Sequence, residues 1–273
     1  MPPKLGLLAG GGNLPSQLIA TCAERGRDLF VVAFEGCADP ETVSRVPHCW
    51  VRLGAIGKII RELRRAGVEE VVLAGGIGRP SWRSVKPDLR GMKMLPRVLA
   101  AGQGDGSILS VAIAELESEG FRVIGIEDVV VDLLAPEGVL GRVRPDPTAE
   151  ADIARAVEVA RAVGAADVGQ AVVVQQGIVL GVEAVEGTDA LLGRCAGLRR
   201  DGAGGVLLKL KKPGQDRRAD LPTIGATTVD NALAAGLRGI AVEAGATLVV
   251  DRGALVAKAD ERQFFVVGVR IAR

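Results

Sequence analysis

The chain has 273 residues, a formal net charge of +1, 25% charged and 48% hydrophobic residues. That length supports a sizeable core and two domains. A balanced charge gives no footprint for nucleic acid, and aromatic residues at 3% with no tyrosine supply few platforms for base stacking, so no nucleic-acid partner is expected.

The 37 glycines among Ala-, Val- and Leu-rich runs suit parallel strands joined by tight turns. Cys22, Cys37, Cys49 and Cys195 form no C-x-x-C pair and lie in or beside apolar segments, as reduced thiols of a cytoplasmic protein do. Cys37, His48 and Cys49 lack the paired spacing of a zinc site. His48 is the single histidine and precedes a strand pattern, so acid–base work falls to Asp, Glu, Lys or a metal-bound water. Leu5–Ala9 is too short for a secretory core, and no apolar run reaches the ~18 residues of a membrane span.

Leu5–Ala9 reads as a buried first strand. Gly10-Gly11-Gly12-Asn13-Leu14-Pro15 follows, with a helix over 15–25 whose proline falls in the first turn. Pro15 stands where a dinucleotide fingerprint needs its third glycine, which counts against a nicotinamide enzyme. The Gly10–Gly12 turn is either a tight strand-to-helix connection or a set of N–H groups facing a phosphate. Strands at 29–34, 50–53, 70–74 and 121–127 alternate with helices at 55–66 and 105–119. Gly54-Ala-Ile-Gly57-Lys58 imitates a P-loop, but the glycine spacing is short and Ile59 replaces the Ser/Thr. This alternation predicts an α/β fold: an N-terminal Rossmann-like doubly wound domain over 1–133. Residues 79–97 interleave Arg79, Arg83, Lys86, Arg90, Lys93 and Arg97 with Trp82, Met92 and Met94, which suits either a solvated loop or contact with a phosphorylated lipid or membrane surface.

Pro136, Gly138, Gly141, Pro145 and Pro147 mark 134–148 as a linker. Beyond it, 149–273 reads as a C-terminal α+β domain with a mixed sheet. A helix covers 149–163, and a hairpin of 171–176 and 178–183 follows. A helix then starts near Thr188, the expected N-cap. Another helix lies near 229–235, with short apolar segments at 239–243, 247–251, 255–258 and 264–269.

The stretch Lys209–Pro222 carries five cations and two carboxylates, with Pro213 and Gly214 preventing a helix. Lys209 and Lys211 alternate with Leu208 and Leu210 on a strand end, and Asp216 and Asp220 follow. Glu183, Glu186 and Asp189 close another apolar strand in the same style. Carboxylates beside lysines suit a phosphate ester or pyrophosphate handled with a hard cation such as Mg2+.

The chain resembles the LpxI-type UDP-2,3-diacylglucosamine pyrophosphatases of lipid A biosynthesis. The resemblance runs through residues 9–15, 74–80, 182–190, 212–225 and 239–245; the segments 182–190 (Val-Glu-Ala-Val-Glu-Gly-Thr-Asp-Ala) and 212–225 (Lys-Pro-Gly-Gln-Asp-Arg-Arg-Ala-Asp-Leu-Pro-Thr-Ile-Gly) are long and specific. It implies Mg2+-dependent hydrolysis of a lipid-linked UDP-sugar to UMP and 2,3-diacylglucosamine 1-phosphate, in a two-domain protein that holds substrate between its domains. It also implies a cytoplasmic location, peripheral contact with the inner membrane and a possible homodimer. Asp216 or Asp220 would be the essential aspartate, as metal ligand or activator of water, with Lys212 beside them in the catalytic set. Lys209, Lys212 and Arg217 would hold phosphate oxygens, and Gln215 would join them in substrate binding. Gly11, Gly12, Gly75, Arg79, Glu186, Gly187, Thr188 and Asp189 would complete substrate binding. The rival expectation is a nucleotide- or phospholipid-binding carrier without turnover.

Overall fold

A computed structural model describes residues 2–77, 85, 87–101, 105–130 and 132–271. Two units emerge: Met1–Val131 with Asp216–Asp220, and Asp132–Gln215 with Leu221–Arg273.

In the first unit the order is β1 (Leu5–Ala9), α1 (Leu14–Glu24), β2 (Leu29–Phe34), α2 (Pro40–Val43), β3 (His48–Val51), α3 (Ile56–Arg65), β4 (Glu70–Ala74), α4 (Leu89–Ala101), α5 (Asp105–Ser118) and β5 (Arg122–Ile124). The five strands form one sheet in the order β3-β2-β1-β4-β5, parallel throughout. This is the doubly wound arrangement read from the alternation of elements. β1 is buried along its whole length, which is why it reads as an unbroken apolar run rather than an alternating one. One core cluster packs Ile59, Ile60 and Leu63 of α3 and Ile113 and Leu116 of α5 against Leu8, Val32, Val71 and Val123 of the sheet.

Three local readings change. β3 begins at His48, because its pairing with β2 starts there, opposite Val31. The strand expected over 121–127 stops at Ile124, and Ile126–Asp128 makes a 3₁₀ turn closed by the Gly125 N–H donating to Asp128 at 3.0 Å. Residues 89–101 are helical: Asp88 accepts the Gly91 N–H at 2.9 Å, the i+3 bond of a helix start.

The second unit adds β6 (Gly138–Val139), α6 (Pro147–Ala165), β7 (Ala171–Gln175), β8 (Ile178–Val182), α7 (Gly187–Ala196), β9 (Val206–Lys209), β10 (Thr223–Ile224), α8 (Ala226–Ala234), β11 (Gly239–Glu243), β12 (Leu248–Val249), α9 (Arg252–Glu261) and β13 (Phe265–Val269). Its main sheet runs β6-β13-β11-β9-β7-β8. β9, β11 and β13 are parallel, and β6, β7 and β8 join antiparallel, so the sheet is mixed. Side chains alternate between its faces as a pleat requires: Val173 and Leu207 meet α7, α8 and α9, while Val172, Val174, Val206 and Leu208 meet α6. The β7–β8 turn has φ of 53° at Gln176 and 75° at Gly177, and both N–H groups donate to the buried Asp152 of α6. The Pro/Gly-rich segment 134–148 contributes β6 to this sheet, with Val139 opposite Val267. The apolar segment 255–258 is part of α9, whose start is capped by Asp251 accepting the Ala254 N–H at 3.1 Å.

Candidate active site

In the first unit the direction of strand order reverses between β1 and β4, the place where open α/β sheets leave a crevice at the strands' carboxyl ends. Both strands end in glycines there. Gly11 N–H donates to Gly76 O at 2.9 Å, and Gly76 N–H donates to Gly11 O at 3.0 Å. A Cβ on Gly10 would sit 2.6 Å from Gly75 O, and Gly75 itself has φ of 94°. Glycine is required because two backbones touch. The pairing also uses the Gly11 N–H, so of the two readings of this turn the structure supports the connection at that donor. Gly12 and Gly75 stand at the same carboxyl end; Arg79 lies outside the described residues.

Asp216–Asp220 belongs to this unit, with Ala219 packed against the cluster that includes Leu73 and Ile77. The segment is a turn: Ala219 and Asp220 N–H groups both donate to Asp216 O, at 3.2 and 3.1 Å. The Asp216 carboxylate accepts from Arg218 three times, from its backbone N–H at 2.9 Å, Nε at 3.0 Å and Nη2 at 2.8 Å. Arg218 Nη1 reaches Glu117 of α5 at 2.6 Å. Bonds to Asp216 and then Glu117 outweigh partial burial and hold the Arg218 guanidinium more firmly protonated.

Glu127, on the turn after β5, lies in the same neighbourhood. Arg217 Nη2 stands 3.7 Å from its Oε1, while its Oε2 is buried with no hydrogen-bond partner among the described residues. Burial pushes this carboxyl up, and the Asp128 and Asp216 charges add to the rise against the opposing Arg217. The sequence reading treated Glu127 as a strand end and passed over Arg218 and Glu117. A carboxylate three residues beyond a strand's end at a parallel sheet's carboxyl edge was the available signal.

The second unit supplies the stem from which the loop leaves and to which it returns. Lys209 is buried, and its Nζ donates to Thr223 O at 3.0 Å. Lys211 Nζ donates to Gln215 O at 3.1 Å, and Lys212 Nζ pairs with Asp167 at 2.7 Å. Gln215 is buried; its Oε1 accepts the Lys212 N–H at 3.0 Å and closes the Pro213-Gly214 turn. Each of these groups therefore has a role in holding the loop's base.

Glu186, Thr188 and Asp189 surround the start of α7. Glu186, not Thr188, occupies the N-cap position. Thr188 Oγ1 instead donates to the buried Glu183 at 2.7 Å, and that carboxylate's other oxygen accepts the Gln170 N–H at 3.0 Å. A local backbone bond leads, with Arg194 assisting, in pulling the Glu186 carboxyl below its ordinary value. Asp189 accepts from Asn231 Nδ2 at 2.9 Å. Gly187 has φ of 81°, which lets the chain turn into the helix.

Among the described residues no three His, Cys, Asp or Glu side chains converge on one metal position. Asp216 and Asp220 remain hard oxygen donors brought onto one turn by the bond from Asp220 N–H to Asp216 O. That donor set fits Mg2+, which usually takes one or two carboxylates and completes its shell with water and substrate phosphate.

A Rossmann-like unit and a mixed-sheet α/β unit, with charged side chains gathered at strand ends and on one loop, define a two-domain α/β protein. The LpxI N-terminal domain matches residues 4–133 and the LpxI C-terminal domain matches 136–267. The chain belongs to the LpxI family. It is 46% identical over 273 residues to the UDP-2,3-diacylglucosamine pyrophosphatase LpxI of Caulobacter vibrioides, covering 97% of each chain.

Proposed function

We infer that this chain is a UDP-2,3-diacylglucosamine pyrophosphatase of lipid A biosynthesis. The observation that carries the reading is the 46% identity with the Caulobacter vibrioides enzyme over 97% of each chain. Hydrolysis adds one water across the P–O–P bridge and releases UMP and 2,3-diacylglucosamine 1-phosphate.

Asp216 and Asp220 would hold Mg2+, which when bound draws charge from the pyrophosphate oxygens. Asp220, on the last position of the turn, orients the attacking water. Arg218 fixes the rotamer of Asp216 through its fork of hydrogen bonds. Arg217 offsets charge developing on the phosphates, as preorganised cations do in phosphoryl transfer. Gly12, with nothing within 4 Å of where its Cβ would lie, leaves the backbone beyond β1 open to close approach by substrate.

The test is mass spectrometry of the purified protein with UDP-2,3-diacylglucosamine and Mg2+. UMP and the sugar 1-phosphate in equal amounts are expected. Substrate retained unchanged across a series of divalent ions would overturn the reading and leave a binding protein without turnover.

A further inference from the structure

We propose that the outward face of α4 docks on an anionic lipid bilayer. The inference rests on the proposed function only in that a diacylated substrate resides in such a bilayer. Leu89, Met92 and Leu99 are exposed at 82%, 56% and 64%. At 100° per residue these three, with the exposed Pro96, fall within an arc of about 80° on the helix. Singly scattered surface leucines need no explanation, but an apolar stripe aligned along a helix does.

The opposite side of α4 already has its partner. Met94 is buried, and Gly91 packs so tightly that a Cβ there would meet Gly54 O at 2.3 Å. The outward stripe is thus a second apolar face, beyond what the core of the unit uses.

Charge selects the occupant. α4 carries Arg90, Lys93 and Arg97 and no carboxylate. Arg90 and Arg97 pair with Glu115 at 2.7 and 3.0 Å, Arg90 and Arg64 also pair with Glu119, and Lys93 has no ion pair among the described residues. Four cations therefore surround two carboxylates, and Lys93 borders the apolar stripe. An open cleft of about 530 Å³ between α4 and α5, lined by Leu89, Arg90, Lys93, Met94, Arg97 and Glu115, adjoins it. Apolar side chains that enter the acyl boundary beside cations that meet anionic headgroups are the chemistry of an interfacial helix.

The experiment is flotation of the full chain with phosphatidylglycerol/phosphatidylethanolamine vesicles and with phosphatidylcholine vesicles, without substrate. The wild type floats with the anionic vesicles, and salt weakens the association. Met92→Glu/Leu99→Glu lowers binding by at least about tenfold through loss of apolar insertion. Lys93→Ala lowers it about fivefold, the effect of one cation near a charged surface. Circular dichroism checks that both variants fold. UMP release from substrate in detergent micelles stays within about twofold of wild type for both variants, while release from substrate in vesicles falls with binding. Equal flotation of wild type and the double variant would overturn the proposal. So would a wild-type dimer that the double variant converts to monomer without vesicle binding, since a second copy would then occupy the face. Absence of UMP release in micelles overturns the enzymatic reading instead, and leaves flotation as a separate result.

Discussion

Arg218 grips Asp216 from two residues away, with Nε 3.0 Å from Oδ1 and Nη2 2.8 Å from Oδ2, and extends its remaining amine to Glu117. A carboxylate held in a fork keeps its orientation, so the two aspartates of the turn are not equivalent. Asp216 is fixed by a neighbour; Asp220 is fixed by the backbone turn that begins at Asp216 O.

Replacing the aspartates tests whether the loop takes part in the chemistry. Asp216→Ala and Asp220→Ala are each expected to lower kcat by about 10²-fold or more, the scale of losing one preorganised electrostatic group. Chelation with EDTA is expected to abolish UMP release from the wild type, and added Mg2+ to restore it. Full turnover in both alanine variants, with circular dichroism unchanged, would remove this loop from the chemistry.

Arg218 acts through Asp216, and its variants report positioning. Arg218→Ala is expected to lower kcat about tenfold with little change in KM, because Asp216 loses its fork while the phosphate-facing Arg217 stays. Arg218→Lys restores only part of the rate, since a single ammonium cannot form two parallel bonds. Steady-state kinetics on the two variants check this: a rise in KM at constant kcat would mean that Arg218 binds substrate directly.

Much of this was legible from residues alone, and the rest failed for identifiable reasons. β1, β2 and β4 were read to the residue because both faces of a parallel sheet bury their side chains, leaving unbroken apolar runs such as Leu29–Phe34. α4 was read as either a solvated loop or a lipid-facing segment, because Gly91 and Pro96 interrupt it and its apolar residues divide between two faces. Asp216 and Asp220 were visible as a motif, but the fork from Arg218 depends on loop geometry that composition does not encode. The Gly11 N–H illustrates the same limit. A glycine after a strand marks close approach of backbone, and only coordinates reveal that the approaching group is Gly76.

That backbone contact gives a stability prediction. Gly75 has φ of 94°, and a Cβ there would meet Gly11 O at 2.5 Å. Gly75→Ala combines a left-handed backbone with a clash between two strand ends, and is expected to destabilise the first unit by about 2 kcal/mol or more. Gly26→Ala is the control: its φ is 61° but no atom lies within 4 Å of the added carbon, so only the backbone term applies. Urea unfolding of the two variants measures the difference, and equal losses would show that the β1–β4 glycine contact yields at no cost.

Glu127 gives the pH prediction. Burial holds its carboxyl above the ordinary value of 4.5 in the fold. Between the unfolded value and the raised folded value, the native state binds more protons than the unfolded chain. Stability from this group is therefore fully present below the unfolded value and declines as pH rises through the folded one, after which it is level. Glu127→Gln keeps the shape and removes the titration. Its stability relative to wild type should rise as pH climbs above the ordinary value of 4.5, because only the wild type comes to bury a charge. The Asp39→Asn variant should move the opposite way, and only below the ordinary aspartate value of 3.8. The Thr42 hydroxyl, first among several bonds, holds the Asp39 carboxyl below its ordinary value, so its contribution is present above the unfolded value and is lost as pH falls. Denaturant midpoints for the three proteins from about pH 2 to about pH 7 decide the matter. Parallel profiles for Glu127→Gln and wild type would mean that Glu127 is solvated well enough to ionise at its ordinary value, and that its buried oxygen carries no penalty.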